Sequence, residues 1–314
     1  MNEALNQLAE DFFKNSLNTS PTSAIMRGYK EYFDQIEELT DTKFDQNLID
    51  LNKFEKRLNE IDFNNLSNKE KVTYGMLEYA FGSNKDSLLD KSWEFGAGVS
   101  GFTGYLIDYN QQMFIPDLES ADLLLKRLEL YNQFFNQVSA VQKKGLDNNR
   151  VATERNLLRT IDQIESYLKT SLESDPLLLV NFSPEISEED VNIWKDKAKL
   201  IIESYVRPSV NSYLEQLKSE HLPKGRSDTN PGIMWIDGGE DIYLRSLRKF
   251  TGNKDITVKE VHETGLSEIE RLKKEFFEIG KNVFEDVTTP EEVLYKMQTE
   301  PSMRFESKEQ MLQM

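Results

Sequence analysis

The stretch LESADLLLKRLELYNQFFNQV, residues Leu118–Val138, decides the fold class of this 314-residue chain. Its apolar residues recur every three or four positions, which is the spacing of one face of an α-helix. The positions on that face are Ala121, Leu124, Leu125, Leu128, Tyr131, Phe135 and Val138. The pattern predicts a long helix that breaks near GLDNN, residues Gly145–Asn149, because glycine and asparagine favour turns.

The helical spacing continues on both sides of this stretch. After the break, one face of a second helix carries Leu157, Ile161, Ile164 and Leu168. Two helices joined by a short loop are expected to pack antiparallel. Upstream, Ser67 and Glu70 form a capping box that opens a helix through Val72, Met76, Tyr79 and Ala80. Downstream, a long helix is predicted from Ser187 to about Leu217, with Pro208 as a kink or break.

The C-terminal part of the chain carries three further helix starts. Thr257 and Glu260 form a second capping box, and Thr289–Glu292 places a proline at the first position of another helix. The helix after Thr257 has an apolar stripe that we expect to face the core: Val261, Leu266, Ile269, Leu272, Phe276, Ile279 and Val283. Ser307–Met314 begins one more helix. Its shortness predicts a fragment cut just after a new element begins, and a frayed tail is the alternative.

Two irregular, glycine-containing segments, Lys91–Pro116 and Leu222–Asp241, interrupt the helices. The chain has only nine prolines and fifteen glycines, which favours helices over a turn-rich β architecture. We therefore predict an all-α fold, a multi-helix bundle of long antiparallel helices with these two loops. One mainly helical domain is expected over residues 1–314, and the alternative is a subdivision into 1–116 and 117–314.

The charge and composition of the chain exclude several classes of function. With 38 Lys and Arg against 55 Asp and Glu, the formal net charge is −17, so nucleic acid and anionic membranes are disfavoured as partners. Cysteine is absent, which excludes thiolate metal sites and cysteine nucleophiles. No apolar run approaches the length of a transmembrane helix. The acidic N-terminus does not resemble a signal peptide. These features are compatible with an exported protein, periplasmic or lipid-anchored, and with a cytoplasmic one.

Two short motifs resemble catalytic signatures but lack their required surroundings. His262-Glu263 begins like the zinc-peptidase motif H-E-x-x-H, yet Leu266 stands where the second histidine belongs. We interpret His262 as a packing or capping histidine. The run Gly96–Gly101 matches G-x-G-x-x-G without a buried strand before it or a helix opening from it, so it is predicted to be a loop. Phe102 replaces the last glycine of a hydrolase elbow.

The segment WIDGGEDIY, residues Trp235–Tyr243, is the best candidate for a binding site. Paired glycines let the backbone approach a ligand or another chain segment closely. Acidic and aromatic residues surround them, so the segment offers backbone hydrogen bonds together with a stacking or hydroxyl group. The competing interpretation is a tight loop between two helices.

Over Ser204–Phe276, which includes this loop, the chain resembles a bacterial family of uncharacterised, mostly helical proteins that is similar to zinc metallopeptidases. Many members of that family carry secretion or lipoprotein signals. The stretch Lys143–Leu158 also resembles the family. The other matching residues are Arg207, Pro208, His221, Leu222, Pro223, Arg226, Gly238, Gly239, Tyr243, Thr251, Ile256, Thr257, Glu260, His262, Gly265, Leu266, Glu268 and Arg271.

The resemblance implies a role but no complete active site. Family members are considerably longer, and their zinc motif lies further towards the C-terminus, so zinc is implied only for a part that this chain lacks. The chain is then expected to be the N-terminal half of a carboxypeptidase-like protein, with no metal ligand and no catalytic residue of its own. Gly238, Gly239 and Tyr243 are predicted to face a peptide substrate. Asp237 departs from the family, which has proline before the paired glycines.

Two other functions stay open. The chain could be a non-enzymatic helical binding or scaffold protein, complete at Met314, with a closed core and no large exposed apolar face. It could also be a metal-dependent hydrolase that uses carboxylates alone, although no EF-hand spacing is present. The oligomeric state and the identity of the substrate are not predicted.

Overall fold

The computed structural model describes residues 2–96 and 109–313 of the chain. This part is mainly α-helical, which confirms the predicted fold class. The helices are α1 Glu3–Thr19, α2 Pro21–Met26, α3 Asp41–Asn59, α4 Asn68–Asp90, α5 Tyr109–Gln112, α6 Leu118–Asp147, α7 Glu154–Lys169, α8 Glu188–Ile201, α9 Arg207–Gln216, α10 Gly239–Thr251, α11 Val258–Val283, α12 Pro290–Thr299 and α13 Lys308–Leu312.

Two short strands, β1 (Phe114–Ile115) and β2 (Asn181–Phe182), form a parallel pair in which Phe114 lies opposite Asn181. None of the helices within the described residues combines the length and the apolarity that a membrane span needs. Of the predicted glycine-rich loop Gly96–Gly101, only Gly96 falls within the described residues.

The chain forms two compact units, Met1–Tyr243 and Leu244–Met314. The larger unit contains two hydrophobic cores. The N-terminal one joins α1, α3 and α4 through Leu5, Leu8, Leu51, Leu58, Leu66, Leu77 and Phe81. The predicted extent of a single domain over residues 1–314 stays a prediction.

The main core of the larger unit is built around α6. Fourteen residues of this 30-residue helix are buried, including Leu124, Leu128, Tyr131 and Phe135 from the predicted face. Asp117 caps it by accepting a hydrogen bond from the Ser120 amide at 2.9 Å. Helix α6 packs against α8, α9 and the turn between them. A helix buried to this extent is held by tertiary packing more than by its intrinsic propensity.

Several polar side chains that α6 and its neighbours bury form hydrogen bonds to other helices or segments. The Trp194 indole N–H of α8 donates to the Ala121 carbonyl at 2.8 Å, and the Tyr213 hydroxyl of α9 donates to the Gln142 Oε1 atom at 2.9 Å. On the N-terminal side, the buried Arg127 guanidinium donates to the Thr22 hydroxyl and to the Gln35 carbonyl. Such bonds fix the register of the neighbouring segments, because an unpaired buried donor costs roughly 1–3 kcal/mol.

The predicted antiparallel pairing of α6 with α7 is not the main packing of either helix. Helix α7 packs chiefly against α9. The connection between α6 and α7 does not turn straight back, because Arg226 holds it: the Arg226 amide donates to the Ala152 carbonyl at 3.0 Å, and the Glu154 amide donates to the Arg226 carbonyl at 2.8 Å. The connection therefore pairs with a loop that is distant in the sequence, and α7 lies beside α9.

Pro208 does not break the predicted long helix. A π-turn, Ile202–Val206, leads directly from α8 into α9, and Pro208 is the second residue of α9. Proline has no amide hydrogen, and its ring crowds the carbonyl four residues before it. That carbonyl belongs to Ser204, which lies inside the π-turn, so the wider turn accommodates the ring. A second π-turn, Leu217–His221, follows α9.

The two predicted capping boxes, Ser67–Glu70 and Thr257–Glu260, are confirmed by the structure, and Thr289–Glu292, predicted only as a helix start, forms a third. In Ser67–Glu70, Thr257–Glu260 and Thr289–Glu292, the hydroxyl accepts from the third amide and the glutamate accepts from the cap amide. The faces of the helices that follow them are less well predicted. On α4, Val72 and Met76 face solvent, whereas Leu77 and Phe81 enter the N-terminal core.

The predicted core-facing stripe of α11 is wrong over most of its length. From Thr257 to Glu275 every residue except Val261 is exposed. The core of the smaller unit is confined to the far end of α11, where Phe284, Val287 and Val293 cluster with Phe276 and Phe277. Gly280 allows this contact, since a Cβ atom there would lie 2.5 Å from a methyl group of Val293. His262 is exposed and is not a packing histidine.

We expect Arg207→Met to destabilise the larger unit by about 3–5 kcal/mol, because it leaves a buried carboxylate unpaired. Asp175 is fully buried, and the Arg207 Nε and Nη2 atoms donate to its Oδ2 atom at 3.2 and 2.9 Å. Urea unfolding measures the change. Arg155→Met is the matched control, since its partner Asp228 is exposed and such pairs contribute at most about 1 kcal/mol. Equal losses in the two variants would contradict the account.

Candidate functional site

The segment from Leu222 to Gly238 is a loop that leads into α10; its regular structure is limited to two short 3-10 turns, and specific contacts hold it in place. Its first anchor is Arg226, whose Nε atom donates to the Val151 carbonyl at 2.7 Å. The Arg226 Nη1 atom donates to the carbonyls of Asn230 and Gly232, each at 2.8 Å. One guanidinium group thus ties the loop both to itself and to the connection between α6 and α7.

The paired glycines form the second anchor, because the chain crosses itself there at close range. A Cβ atom on Gly239 would lie 1.8 Å from the Ile233 carbonyl oxygen and 3.0 Å from the Met234 Cα atom, so only glycine fits. Gly238 has a φ of +72°, in the left-handed region that glycine adopts at little cost. Helix α10 starts directly after this crossing, and the Ile242 amide donates to the Gly238 carbonyl at 3.1 Å.

A third set of contacts connects the glycines to the end of α4. The Asn149 side-chain amide donates to the Asp237 carboxylate at 3.0 Å. The Arg150 Nη1 atom lies 4.0 Å from the Cβ position of Gly238. The same guanidinium pairs with the Glu94 carboxylate at 3.0 Å, donates to the Asp90 carbonyl and covers the Phe95 ring.

The path of Glu94 past α6 depends on another glycine. A Cβ atom on Gly145 would lie 2.0 Å from the Glu94 carbonyl oxygen. The turn that carries Glu94 therefore runs directly over the end of α6. This contact brings Glu94 within reach of Arg150, which sits in the connection that follows α6.

The anchored loop presents an apolar and aromatic surface to solvent. Ile236 and Ile242 point inward and are buried, whereas Met234, Trp235 and Tyr243 are 68%, 49% and 40% exposed. Aromatic side chains with one polar atom are well suited to binding, because they combine a large contact area with a hydrogen-bonding group. We name this surface, Met234, Trp235 and Tyr243 with Gly238 and Gly239, the glycine-loop surface.

The electrostatics of the glycine-loop surface favour a neutral ligand over an anion. Of the first four amides of α10, those of Gly239 and Ile242 already donate to the Ile236 and Gly238 carbonyls, at 2.9 and 3.1 Å, which leaves those of Glu240 and Asp241 to donate to a ligand carbonyl. Glu240 and Asp241 occupy the first turn of α10 and place two carboxylates beside those amides. Their charge opposes the binding of phosphate or another anion at this helix start. Main-chain carbonyl groups of a peptide fit these amides without that penalty.

No metal site is found among the described residues, in which no group of three or more His, Asp or Glu side chains is placed to hold an ion. The two histidines are in different units: His221 is buried at the end of the second π-turn, and His262 is exposed on α11. The described residues therefore do not fit a zinc ion of the kind that a peptidase uses.

A cavity of about 230 Å³ lies elsewhere, between the segment Asp34–Glu38 and α6. Its carboxylates include Glu37, which already accepts hydrogen bonds from the Thr22 amide at 3.0 Å and from the Thr22 hydroxyl at 2.8 Å. The cavity has no residue in common with the glycine-loop surface.

The structure places Gly238, Gly239 and Tyr243 within two turns of one another, at the start of α10. Their role in substrate binding stays a prediction. The supporting residues Asn149, Arg150 and Glu94 were missed, because they are remote in sequence and no spacing rule connects them. In the sequence, only the resemblance of Lys143–Leu158 to the family pointed to Arg150.

The comparisons with known proteins identify the family. The chain belongs to a bacterial protein family of unknown function, DUF885, whose model matches residues 21–314. No curated protein matches the chain.

A similar fold has been solved by crystallography in a protein described as "the putative lipoprotein from Colwellia psychrerythraea". The TM-score is 0.80 with 15% sequence identity, over 99% of this chain and 57% of that one. At this identity the likeness shows the fold alone. The chain spans 57% of the length of that protein.

We expect Gly239→Ala to reshape the glycine-loop surface, because its methyl group would overlap the Ile233 carbonyl oxygen. Forced overpacking of this kind costs about 1–3 kcal/mol. The measurement is urea unfolding together with the emission wavelength of Trp235, which should shift as the loop moves. Gly232→Ala is the control, since the nearest atom to its Cβ position is 3.7 Å away. An unchanged loop in Gly239→Ala would refute the close approach.

The free energy of unfolding should fall on mild acidification because of His221. Burial lowers the pKa of His221 below its ordinary value, so the unfolded chain binds the proton more readily than the folded one. This contribution to stability is complete above about pH 6.5 and is lost as the pH falls through the lowered folded-state pKa.

The variant His221→Gln should lack this pH dependence, as measured by urea unfolding between about pH 5.5 and pH 7.5, above the range where carboxylates titrate. His262→Gln is the matched control, because His262 is exposed and its loss should leave the dependence unchanged. Identical profiles for the wild type and His221→Gln would contradict the assignment.

Proposed function

We propose that this chain supplies one wall of a peptide-binding cleft in a zinc-dependent, carboxypeptidase-like protein. The observation that carries the proposal is the glycine-loop surface. Its backbone is held by the contact between Gly239 and Ile233, while Trp235 and Tyr243 stay at the surface. A rigid loop binds with a smaller loss of conformational entropy than a mobile one.

Each residue of the surface has a distinct part in this proposal. The amides of Glu240 and Asp241 at the start of α10 donate to a carbonyl of the peptide backbone. Gly238, whose Cβ position has only the Arg150 Nη1 atom at 4.0 Å, lets that backbone approach without a side chain in the way. The Tyr243 hydroxyl adds one directional hydrogen bond, and Trp235 provides an apolar face for a substrate side chain.

The hydrolytic centre is assigned to polypeptide other than the described residues. A peptidase zinc ion activates water for attack on a peptide carbonyl. The described residues lack a group that could hold such an ion, so we assign no step of hydrolysis to them. The resemblance of Thr257–Arg271 and of the glycine loop to metallopeptidase-like proteins supports the assignment. The similar fold of the protein described as "the putative lipoprotein from Colwellia psychrerythraea" is consistent with an exported or lipid-anchored parent protein.

Peptide binding to the glycine-loop surface can be measured through the fluorescence of Trp235. We expect an unstructured hexapeptide with a free C-terminal carboxylate to change the emission saturably, and Trp235→Phe to remove the change. Tyr243→Phe should weaken binding roughly twofold to tenfold, which corresponds to the loss of one hydrogen bond. Tyr295→Phe, an exposed tyrosine in the other unit, is the matched control and should bind normally.

The C-terminal group of the peptide, carboxylate or amide, distinguishes between the two functions proposed for this surface. Preference for the free carboxylate over the C-terminally amidated hexapeptide, with that carboxylate bound away from Glu240 and Asp241, supports the carboxypeptidase-like proposal. Equal binding of both peptides supports the alternative, a non-enzymatic binding protein. A peptide that leaves Trp235 emission unchanged, or that binds the wild type and Tyr243→Ala equally, would overturn the assignment of the surface.

Zinc titration by calorimetry tests the placement of the hydrolytic centre. We expect no stoichiometric, tight zinc binding by this chain, since neither of its two histidines lies in a cluster of metal-ligating side chains among the described residues. One tightly bound zinc ion per chain would instead support a metal-dependent hydrolase with its centre within residues 1–314.

A further inference from the structure

Helix α11 leaves an unusually long apolar stripe in solvent. Four of its large side chains, Ile269, Leu272, Ile279 and Val283, are each 50–57% exposed. The helix has 26 residues and is roughly 39 Å long at about 1.5 Å per residue, and the stripe from Ile269 to Val283 runs for roughly 21 Å of it. An isolated amphipathic helix of this kind is marginal in water without a surface to cover its apolar face.

The spacing of the stripe is that of a coiled coil. The residues Ile269, Leu272, Phe276, Ile279 and Val283 alternate steps of three and four. In heptad notation Ile269, Phe276 and Val283 occupy a positions, and Leu272 and Ile279 occupy d positions; Phe276 is also partly buried against the core of the smaller unit. Before Ile269 the a position is His262 and the d position is Gly265, so the apolar period covers two heptads. A 3.5-residue period over these two heptads fits another helix better than a flat surface.

The charges beside the stripe are complementary to a second copy of the same helix. Glu268 and Glu275 occupy g positions, and Lys259 and Lys273 occupy e positions. In a parallel pair each g residue faces the e residue five positions later on the partner, so Glu268 faces Lys273 twice by symmetry. An antiparallel pair would instead place lysine against lysine and glutamate against glutamate.

The intrahelical ion pairs of these residues do not prevent such an exchange. Glu268 accepts from Arg271 at 2.8 Å and Lys273 donates to Glu270 at 3.2 Å, and these side chains are about half exposed or more. Exposed pairs of this kind contribute little and exchange partners at low cost.

The net charge of the smaller unit also permits self-association there. Residues 244–314 carry 12 Lys and Arg against 14 Asp and Glu, a net charge of −2, whereas the whole chain carries −17. Two copies of an acidic chain repel each other least where their contact surfaces are close to neutral.

We propose that α11 pairs with α11 of a second copy, in parallel and in register, to form a homodimer through the stripe Ile269–Val283. This surface is separate from the glycine-loop surface, and the proposal does not depend on peptide binding. On α12, Leu294 and Met297 are 51% and 45% exposed and extend the apolar area of the same unit.

The mass of the chain in solution tests the pairing. Sedimentation equilibrium should show a concentration-dependent rise from 36.5 kDa to twice that value. Ile279→Glu should keep the protein monomeric, while Lys274→Glu, on the opposite side of the helix, should dimerise normally. Circular dichroism checks that both variants keep their helix content, and a substitution at an exposed stripe should not unfold the chain.

Charge reversal tests the identity of the partner. Glu268→Lys and Lys273→Glu should each weaken the dimer roughly threefold to tenfold, because each creates two like-charge pairs. The double variant should restore the affinity of the wild type. Failure of the double variant to recover would contradict the Glu268–Lys273 pairing.

The absence of cysteine allows a direct test of orientation. Single variants Leu272→Cys and Ile279→Cys, seven residues apart, should both form symmetric disulfides in an oxidising buffer, and Lys274→Cys should not. An antiparallel pair can crosslink at most one of the two stripe positions. A monomer at every concentration that still binds a hydrophobic dye at the stripe would overturn the proposal in favour of a different covering polypeptide.

Discussion

A long helix buried among other helices is stabilised when the large polar side chains that it or its neighbours carry inward find internal partners. Helix α6 has such partners on two sides. Arg127 reaches the N-terminal segment at Thr22, and Gln142 accepts from Tyr213 of α9. These bonds set where the neighbouring helices lie along α6. The glycine loop depends on them indirectly, because Gly145 near the end of α6 admits the turn that carries Glu94.

The helical fold is readily predicted from the sequence, since capping and periodicity are local properties. The three capping boxes and the start of α8 at Ser187 follow from a few neighbouring residues each. The neighbours of each helix are less predictable. The pairing of α6 with α7 fails because Arg226, more than seventy residues beyond α6, holds the connection between them. Likewise, Val72 and Leu77 are both apolar residues of α4, and only tertiary contacts decide which one is buried.

The candidate site also combines a feature that the local sequence predicts with contacts that it does not predict. Paired glycines in a loop indicate a close backbone contact, and the structure shows that contact between Gly239 and Ile233. Asn149 and Arg150 hold the loop against the rest of the unit. No sequence pattern identifies them, because isolated Asn and Arg residues are common on surfaces. The stripe of α11 presents the opposite difficulty. Its periodicity correctly predicts an amphipathic helix, but periodicity alone does not distinguish a face buried within the chain from one that awaits another polypeptide.

The family and the fold place this chain among bacterial proteins of unknown function, and the glycine-loop surface provides the most specific indication of what it binds. Hydrogen–deuterium exchange with and without the free-carboxylate hexapeptide tests this most directly. The account predicts slower exchange of the amides over Gly238–Tyr243 when the peptide is bound, with unchanged exchange in α6 and α11. Unchanged exchange at Gly238–Tyr243 under saturating peptide, or protection confined to another segment, would contradict it.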